Sequence, residues 1–143
     1  MPNDKATGVA YADPQFESVT VTGPVAATGA VTAASVAATG AVSATQLRLN
    51  APVTKTANFS LADNENWVVC NGAGTITVTF PTASANTGRV VWIKTIAAQT
   101  VVSASSNVLP IATATAGTAI LAATAGTWAM LVCDGTNWVT MAS

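Results

Sequence analysis

The chain has 143 residues, of which 50% are hydrophobic and only 8% charged, whereas soluble domains average about 25% charged residues. Five Lys/Arg, six Asp/Glu and no His leave a net charge of −1. No basic cluster is present to bind a nucleic-acid backbone, and the composition is too apolar for disorder. With 30 Ala and 23 Thr, the chain favours β-structure but is short of the large side chains that build a thick monomeric core.

The missing residue types argue against catalysis and metal binding. Without His, the chain lacks the commonest general base and the commonest metal ligand. Cys70 and Cys133 cannot make a structural zinc site alone. The one close carboxylate pair, Asp63 and Glu65, alternates with asparagines, and we interpret it as a solvated turn because Asn and Asp favour turns. We therefore expect no enzyme, no cofactor and no metal site.

Neither a membrane span nor an export signal is predicted. Residues 18–47 carry no charge, but their large apolar residues are valines until Leu47, which is too weakly hydrophobic for insertion. The N-terminus lacks the basic region and apolar core of a signal peptide. We expect the product in the cytoplasm of the cell that makes it, with reduced cysteines. Cys70 and Cys133 lie in strand-like runs, as buried small hydrophobes do, and a disulfide between them is the alternative.

The first 17 residues predict an extended arm. They hold four of the eleven charges and show no periodicity. Such an arm either frays or docks on a partner. Its aromatic residues favour docking, and the candidate docking residues are Tyr11, Pro14 and Phe16.

Residues 18–50 are repetitive and predict a stem. The segments 25–35 and 36–46 agree at eight of eleven positions and share a Thr-Gly-x-Val unit, which is typical of a stacked, elongated architecture. Gly, Pro and β-branched residues argue against a helix, and no heptad supports a coiled coil, so we predict short β segments with turns at each Thr-Gly. One chain cannot cover the narrow valine face, so copies of the chain are expected to pack together. The predicted stem interface consists of Val19, Val25, Val31, Val36 and Val42.

Residues 51–143 are the segment able to form a globule, here called the knob. Thr75–Phe80 alternates strictly between Thr and apolar residues, as a half-buried strand does. An Asp134-Gly135 turn signal precedes the last strand. Regular spacing and Gly-rich turns favour a β-sandwich or jelly-roll-like fold. The predicted strands are 59–61, 67–70, 75–80, 89–96, 100–104, 118–122, 128–133 and 138–141.

All four tryptophans lie in the knob. Packing in the core or at a subunit interface is the ordinary role of such residues. Carbohydrate stacking is the alternative, chiefly at Trp138, which follows the turn from Asp134 to Asn137. Trp138 and Asn137 are therefore candidate glycan contacts.

Two segments of the knob resemble a module common in the fibre and spike proteins of tailed bacteriophages. In Thr77–Lys94, a strand ends in proline, a turn of small residues reaches a glycine, and a second strand ends Ile-Lys. The second segment is Leu131–Trp138, which contains the Asp-Gly-x-x-Trp hairpin of that module, and the Thr-Gly-x-Val stem is similar to repetitive stretches of such fibres. The resemblance covers roughly residues 18–143. It implies a homotrimer on a virion, with a stem and a distal all-β knob, and supplies no catalytic residues.

Three functions remain open. The first is a capsid decoration (cement or head-fibre) protein, assembled in the host cytoplasm, whose arm docks on the major capsid protein at the virion surface. The compact succession of arm, stem and knob motivates it. The second is the receptor-binding tip of a tail fibre, attached to a tail protein. A bacterial surface adhesin is least favoured, because no export signal is recognised. Neither nucleic acid nor a membrane is an expected partner.

Overall fold

The computed structural model describes residues 20–33 and 35–143. The described residues fall into two units, divided between Ser43 and Ala44, and all ten of their strands lie in the second. These strands are β1 (Val53–Lys55), β2 (Phe59–Ser60), β3 (Trp67–Cys70), β4 (Ile76–Thr79), β5 (Val90–Thr95), β6 (Val101–Ser103), β7 (Val108–Leu109), β8 (Ala119–Leu121), β9 (Trp128–Cys133) and β10 (Trp138–Ala142). A single 3-10 turn, Ala83–Ala85, lies between β4 and β5.

The strands form two sheets, and the first six strands alternate between them. Sheet A has six strands in the order β1-β3-β5-β9-β10-β7, and sheet B has four in the order β2-β4-β6-β8. Within each sheet, the successive strands of this segment pair in parallel. In sheet A, β1 pairs with β3 and β3 with β5; in sheet B, β2 pairs with β4 and β4 with β6. Parallel strands need a long crossover, and here the strand of the other sheet supplies it. The chain from β1 to β6 is therefore a stack of three coils.

The remaining strands close the two sheets mainly by antiparallel pairing. In sheet A, β9 pairs antiparallel with both β5 and β10. In sheet B, β8 pairs antiparallel with β6, and β7 joins the edge of sheet A in parallel with β10. Five of the eight strand pairs in the described residues are thus parallel. This pattern departs from the predicted jelly roll, which is built from antiparallel Greek keys.

The all-β prediction is confirmed for the described residues, which contain no α-helix. All eight predicted strands are present, and β3 and β9 have the predicted bounds. The prediction missed β1 and β7, which have only three and two residues. Such short segments carry too few residues for an alternating pattern, so their strand character comes from pairing with a neighbour.

The core lies between the sheets and follows the period-two alternation of the strands. In β5, for example, Val91, Ile93 and Thr95 are buried, while the residues between them face the other side of the sheet. The buried apolar residues form one cluster. Its members are Leu61, Val68, Cys70, Ile76, Val78, Phe80, Val91, Ile93, Val101, Val108, Ile120, Leu121, Ala129, Leu131, Cys133 and Trp138.

Both cysteines belong to this core and are free thiols. Their predicted role as buried small hydrophobes is confirmed, and the alternative disulfide is not formed. Burial raises the pKa of the Cys70 thiol to about 11, since an apolar environment disfavours the thiolate. The Cys133 thiol donates a hydrogen bond to the carbonyl oxygen of Ala83, at 3.2 Å.

The described residues of the predicted stem, 20–33 and 35–50, contain no strand. The chain bends at Thr22-Gly23, Thr28-Gly29 and Thr39-Gly40, where the repeat predicts turns. The predicted β segments between them are not formed. A strand needs a hydrogen-bonded neighbour, and these segments, all of them exposed, have none among the described residues.

The two segments that carry the resemblance are hydrogen-bonded neighbours. The backbone N–H of Gly88 donates to the carbonyl oxygen of Cys133 at 2.8 Å, and the backbone N–H of Cys133 donates to the carbonyl oxygen of Arg89 at 2.9 Å. Gly135 has a φ of +95°, and a Cβ there would lie 2.8 Å from the Thr87 hydroxyl. The hairpin turn therefore requires glycine for its backbone angle and for its close approach to the other segment.

The side chain of Asp134 stabilises the same turn. Its Oδ1 accepts the backbone N–H groups of Thr136 and Asn137 at 2.7 and 2.6 Å. These bonds, first from Asn137 and then from Thr136, lower the pKa of the carboxyl group, because they favour its charged form. The Asp-Gly turn predicted from the sequence is thereby confirmed.

Replacing Gly135 with alanine should destabilise the knob by about 1–3 kcal/mol, the usual cost of a left-handed angle at a non-glycine residue, and the contact with Thr87 adds to that cost. Two variants separate these causes. In Gly126→Ala the backbone φ is +80° but no atom lies close to the added Cβ. In Gly74→Ala the φ is not positive and no atom lies close to the added Cβ. Urea unfolding should rank Gly135→Ala as least stable, then Gly126→Ala, with Gly74→Ala close to the wild type. Equal stability of all three variants would contradict the assignment.

Candidate functional site: the outer face of sheet A

The outer face of sheet A, directed away from the core, is almost entirely apolar. Because side chains alternate along each strand, it carries the residues between the buried positions. The register aligns them in rows: Trp67, Trp92 and Met130 form one row. We call this surface the apolar face. Its members are Thr54, Trp67, Val69, Val90, Trp92, Lys94, Leu109, Trp128, Met130, Val132 and Val139, of which only Thr54 and Lys94 are polar.

Two tryptophans of adjacent parallel strands stack at the centre of one row. The ring centroids of Trp67 and Trp92 are 4.2 Å apart, with an angle of 11° between the ring planes. Beside them lies an open groove of about 280 Å³. Trp128 also lines this groove and is 45% exposed. The groove residues are Pro52, Trp67, Val68, Val69, Trp92, Ile93, Lys94 and Trp128.

The outer face of sheet B has a different composition. Its outward positions are small or polar apart from Val102; the others are Ser60, Thr77, Thr79 and Ala119. Both sheets bury their inner faces in the same core, so core formation does not require the outer face of sheet A to be apolar. Contiguous apolar surface of this kind marks an interaction site in soluble proteins. The apolar face is therefore the candidate functional site.

A polar clamp holds the start of β3 against β5 and so positions the tryptophan pair. The Arg89 guanidinium donates to the carbonyl oxygen of Glu65 at 3.0 Å. The backbone N–H of Trp92 donates to the carbonyl oxygen of Asn66 at 2.8 Å. These bonds fix the chain immediately before Trp67, which brings its ring onto that of Trp92.

The clamp includes one member of the carboxylate pair. Lys55 Nζ lies 2.6 Å from Glu65 Oε1, and the backbone N–H of Ala62 donates to Oε2 at 3.1 Å. Burial alone would raise the pKa of Glu65, but hydrogen bonds from Lys55 and Ala62 and the positive charges of Lys55 and Arg89 hold it below its ordinary value. The predicted solvated turn is therefore correct for the exposed Asp63 and wrong for the buried Glu65.

The predicted glycan contact at Trp138 is wrong. Trp138 is fully buried and stacks on Phe80, with ring centroids 4.6 Å apart, so no ring face is open to a sugar. Asn137 is half-buried and its backbone is held by Asp134. Trp67, Trp92 and Trp128 instead share the apolar face.

The structure describes four of the predicted stem residues and none of the predicted arm residues. Val25, Val31, Val36 and Val42 are 74–80% exposed in the single chain, so each offers an uncovered apolar side chain. Val19 and the docking residues Tyr11, Pro14 and Phe16 lie outside the described residues.

Two other kinds of site are absent from residues 20–33 and 35–143. No group of three or more His, Cys, Asp and Glu side chains there is placed to hold a metal ion. No helix in this part of the chain is both long and apolar enough to cross a membrane. No protein-family model, curated protein or solved structure matches the chain.

Replacing Glu65 with glutamine should cost about 1.5–3 kcal/mol at neutral pH, the worth of hydrogen bonds to a charged group. Since the pKa of Glu65 is lowered on folding, its stabilisation is complete above the ordinary value of 4.5 and disappears as the pH falls through the folded value. Urea unfolding between about pH 3 and pH 7 should show the two proteins converging at low pH.

The matched control is Asp63→Asn, since that side chain is fully exposed. Its free energy of unfolding should stay within about 0.5 kcal/mol of the wild type. A stability difference for Glu65→Gln that is constant with pH would show that the charge of Glu65 is not what stabilises the clamp.

Proposed function

We propose that this chain is a structural protein of a tailed-bacteriophage virion, of the capsid decoration (cement or head-fibre) type. It binds the outer shell as a homotrimer and displays the knob. The observation that carries this proposal is uncovered apolar surface in two places: the valines of the repeats and the apolar face of sheet A. Uncovered apolar surface of this kind is suited to association with other protein surfaces.

The proposed mechanism is associative. Apolar area buried between subunits and across the shell contributes about 25 cal/mol per Å² before the cost of ordering. The arm residues Tyr11, Pro14 and Phe16 dock on the major capsid protein, and three arms on one trimer add avidity. No reaction or cofactor is needed for this function.

The contact between the two resembling segments supports a virion protein. Thr77–Lys94 and Leu131–Trp138 are joined by backbone hydrogen bonds of Gly88 and Arg89 with Cys133. They therefore form one structural unit, as expected if both derive from a single module. Two motifs matched by chance need not meet in the fold.

The second candidate is the receptor-binding tip of a tail fibre, with a host surface glycan as ligand. The groove beside Trp67, Trp92 and Trp128 favours it, because flat aromatic faces accept sugar rings. The site would then lie on sheet A and not at Trp138.

Copy number in purified virions separates the two candidates. Quantitative mass spectrometry against the major capsid protein should find hundreds of copies per particle for a decoration protein, and imaging should place them on the head. A handful of copies at the tail would contradict the decoration proposal and support the tail-fibre alternative, which adsorption assays with the purified protein then test.

The stem interface has its own test. Val31→Asp should dissociate the trimer, because it would bury an unpaired charge between chains. Thr32→Asp places the same charge on the neighbouring residue and should leave the trimer intact. Light scattering at micromolar concentration measures both variants; a trimer that survives Val31→Asp would show that the valines do not face one another.

A further inference from the structure

We infer that the apolar face of sheet A is a self-association surface, which packs against the same face of other copies of this chain. The inference rests on the proposed trimer and adds a second interface to it, in the knob. Its partner is a second copy, and its central residues are Trp67, Trp92 and Met130.

The size of the apolar face fits a subunit contact. Neighbouring strands lie about 4.8 Å apart and residues advance about 3.3 Å along a strand, so six strands of two to six residues give a footprint of roughly 400 Å². A monomer's largest apolar patch is typically about 300–600 Å² and is often functional. A stable interface buries about 800 Å² per partner. The face therefore supplies about half of what a stable complex needs.

Association through the stem compensates for the small area of the apolar face. Chains already joined through the valine repeats hold their knobs at a high effective concentration, at which a contact too small to associate alone becomes populated. This favours a second copy over an unrelated partner, which would have to bind the face from solution.

The placement of charge also fits a symmetric contact. Lys94 and Thr54 lie in the same row, with Val69 and Trp128, toward one end of the strands. Trp128 borders the apolar centre, since it lies two residues from Met130 on the same face of β9, and the positions beyond that row, around Trp92, are apolar. An apolar centre with a polar rim is the usual anatomy of a protein interface, where Trp and Met are enriched. At the rim, Lys94 of each copy stays in water, so the positive charges of the Lys94 side chains need not lie close to one another.

The lining of the groove fits an apolar partner better than a sugar. Sites for polar ligands place several directed hydrogen-bonding groups around the ligand. The groove offers Lys94 and indole N–H groups but neither carboxylate nor amide side chains. The tryptophan faces are matched by side chains of the same kind on a second copy.

The test uses the full chain and compares Trp128→Glu with Thr79→Glu, which places the same charge on the outer face of sheet B. Both positions are exposed, and circular dichroism checks that both variants fold. Trp128→Glu should raise the concentration at which half of the trimer dissociates by more than about tenfold, since tryptophan anchors carry much of an interface's energy. Thr79→Glu should leave it unchanged. Analytical ultracentrifugation measures this midpoint.

A second measurement needs no variant. Acrylamide quenching of tryptophan fluorescence in the wild type should increase on dilution below the dissociation midpoint, because Trp67, Trp92 and Trp128 become uncovered while Trp138 stays buried. Quenching that does not change between trimer and monomer would overturn the inference. So would strong quenching in the trimer that host glycans suppress, because the face would then belong to that ligand.

The outcomes separate this inference from the proposed function. A trimer that Val31→Asp dissociates and Trp128→Glu leaves unchanged would contradict the knob interface alone. A wild type that is monomeric at every concentration would contradict both the knob interface and the proposed trimer.

Discussion

The parallel pairing of β1, β3 and β5 is the constraint on which the rest of the structure depends. The chain returns to sheet A only after crossing sheet B, so each return is displaced by one strand and equivalent positions line up. Trp67 therefore lies beside Trp92 on one face, and Val68 beside Ile93 on the other. The antiparallel strand β9 continues both rows. The stacked coils thus build the core and the apolar face together.

The few charges of the knob serve mainly to hold this arrangement. Lys55 pairs with Glu65, and Asp63 lies 3.8 Å from Arg89, while Asp134 binds backbone N–H groups of its own turn. Lys94 differs, since it forms no salt bridge with the described residues. Five of the six charged residues of the knob therefore take part in ion pairs or turn-forming hydrogen bonds, and one surface of sheet A is left mainly apolar.

The sequence predicts the strands of the knob well and their arrangement poorly. Alternation reveals two faces, but in Trp67–Cys70 and Val90–Thr95 both faces carry apolar residues, so it does not tell which one is buried. The tryptophan chosen for an exposed role, Trp138, is consequently the buried one. The burial of Glu65 depends on Lys55, which lies ten residues earlier with β2 of the other sheet between them, and no local pattern connects the two. The Asp134-Gly135 turn was predictable because its chemistry is local.

The coil arrangement leaves four sheet edges, at β1 and β7 in sheet A and at β2 and β8 in sheet B. Each edge strand has only two or three residues, whereas the interior strands of sheet A have four to six. Long, flat edges expose unpaired backbone groups that recruit further strands and lead to aggregation. Edge strands of two or three residues expose too few unpaired backbone groups to serve as a template for further strands. The short edges would therefore allow copies that pack through the apolar face, as we propose, to do so without polymerising edge to edge into fibrils.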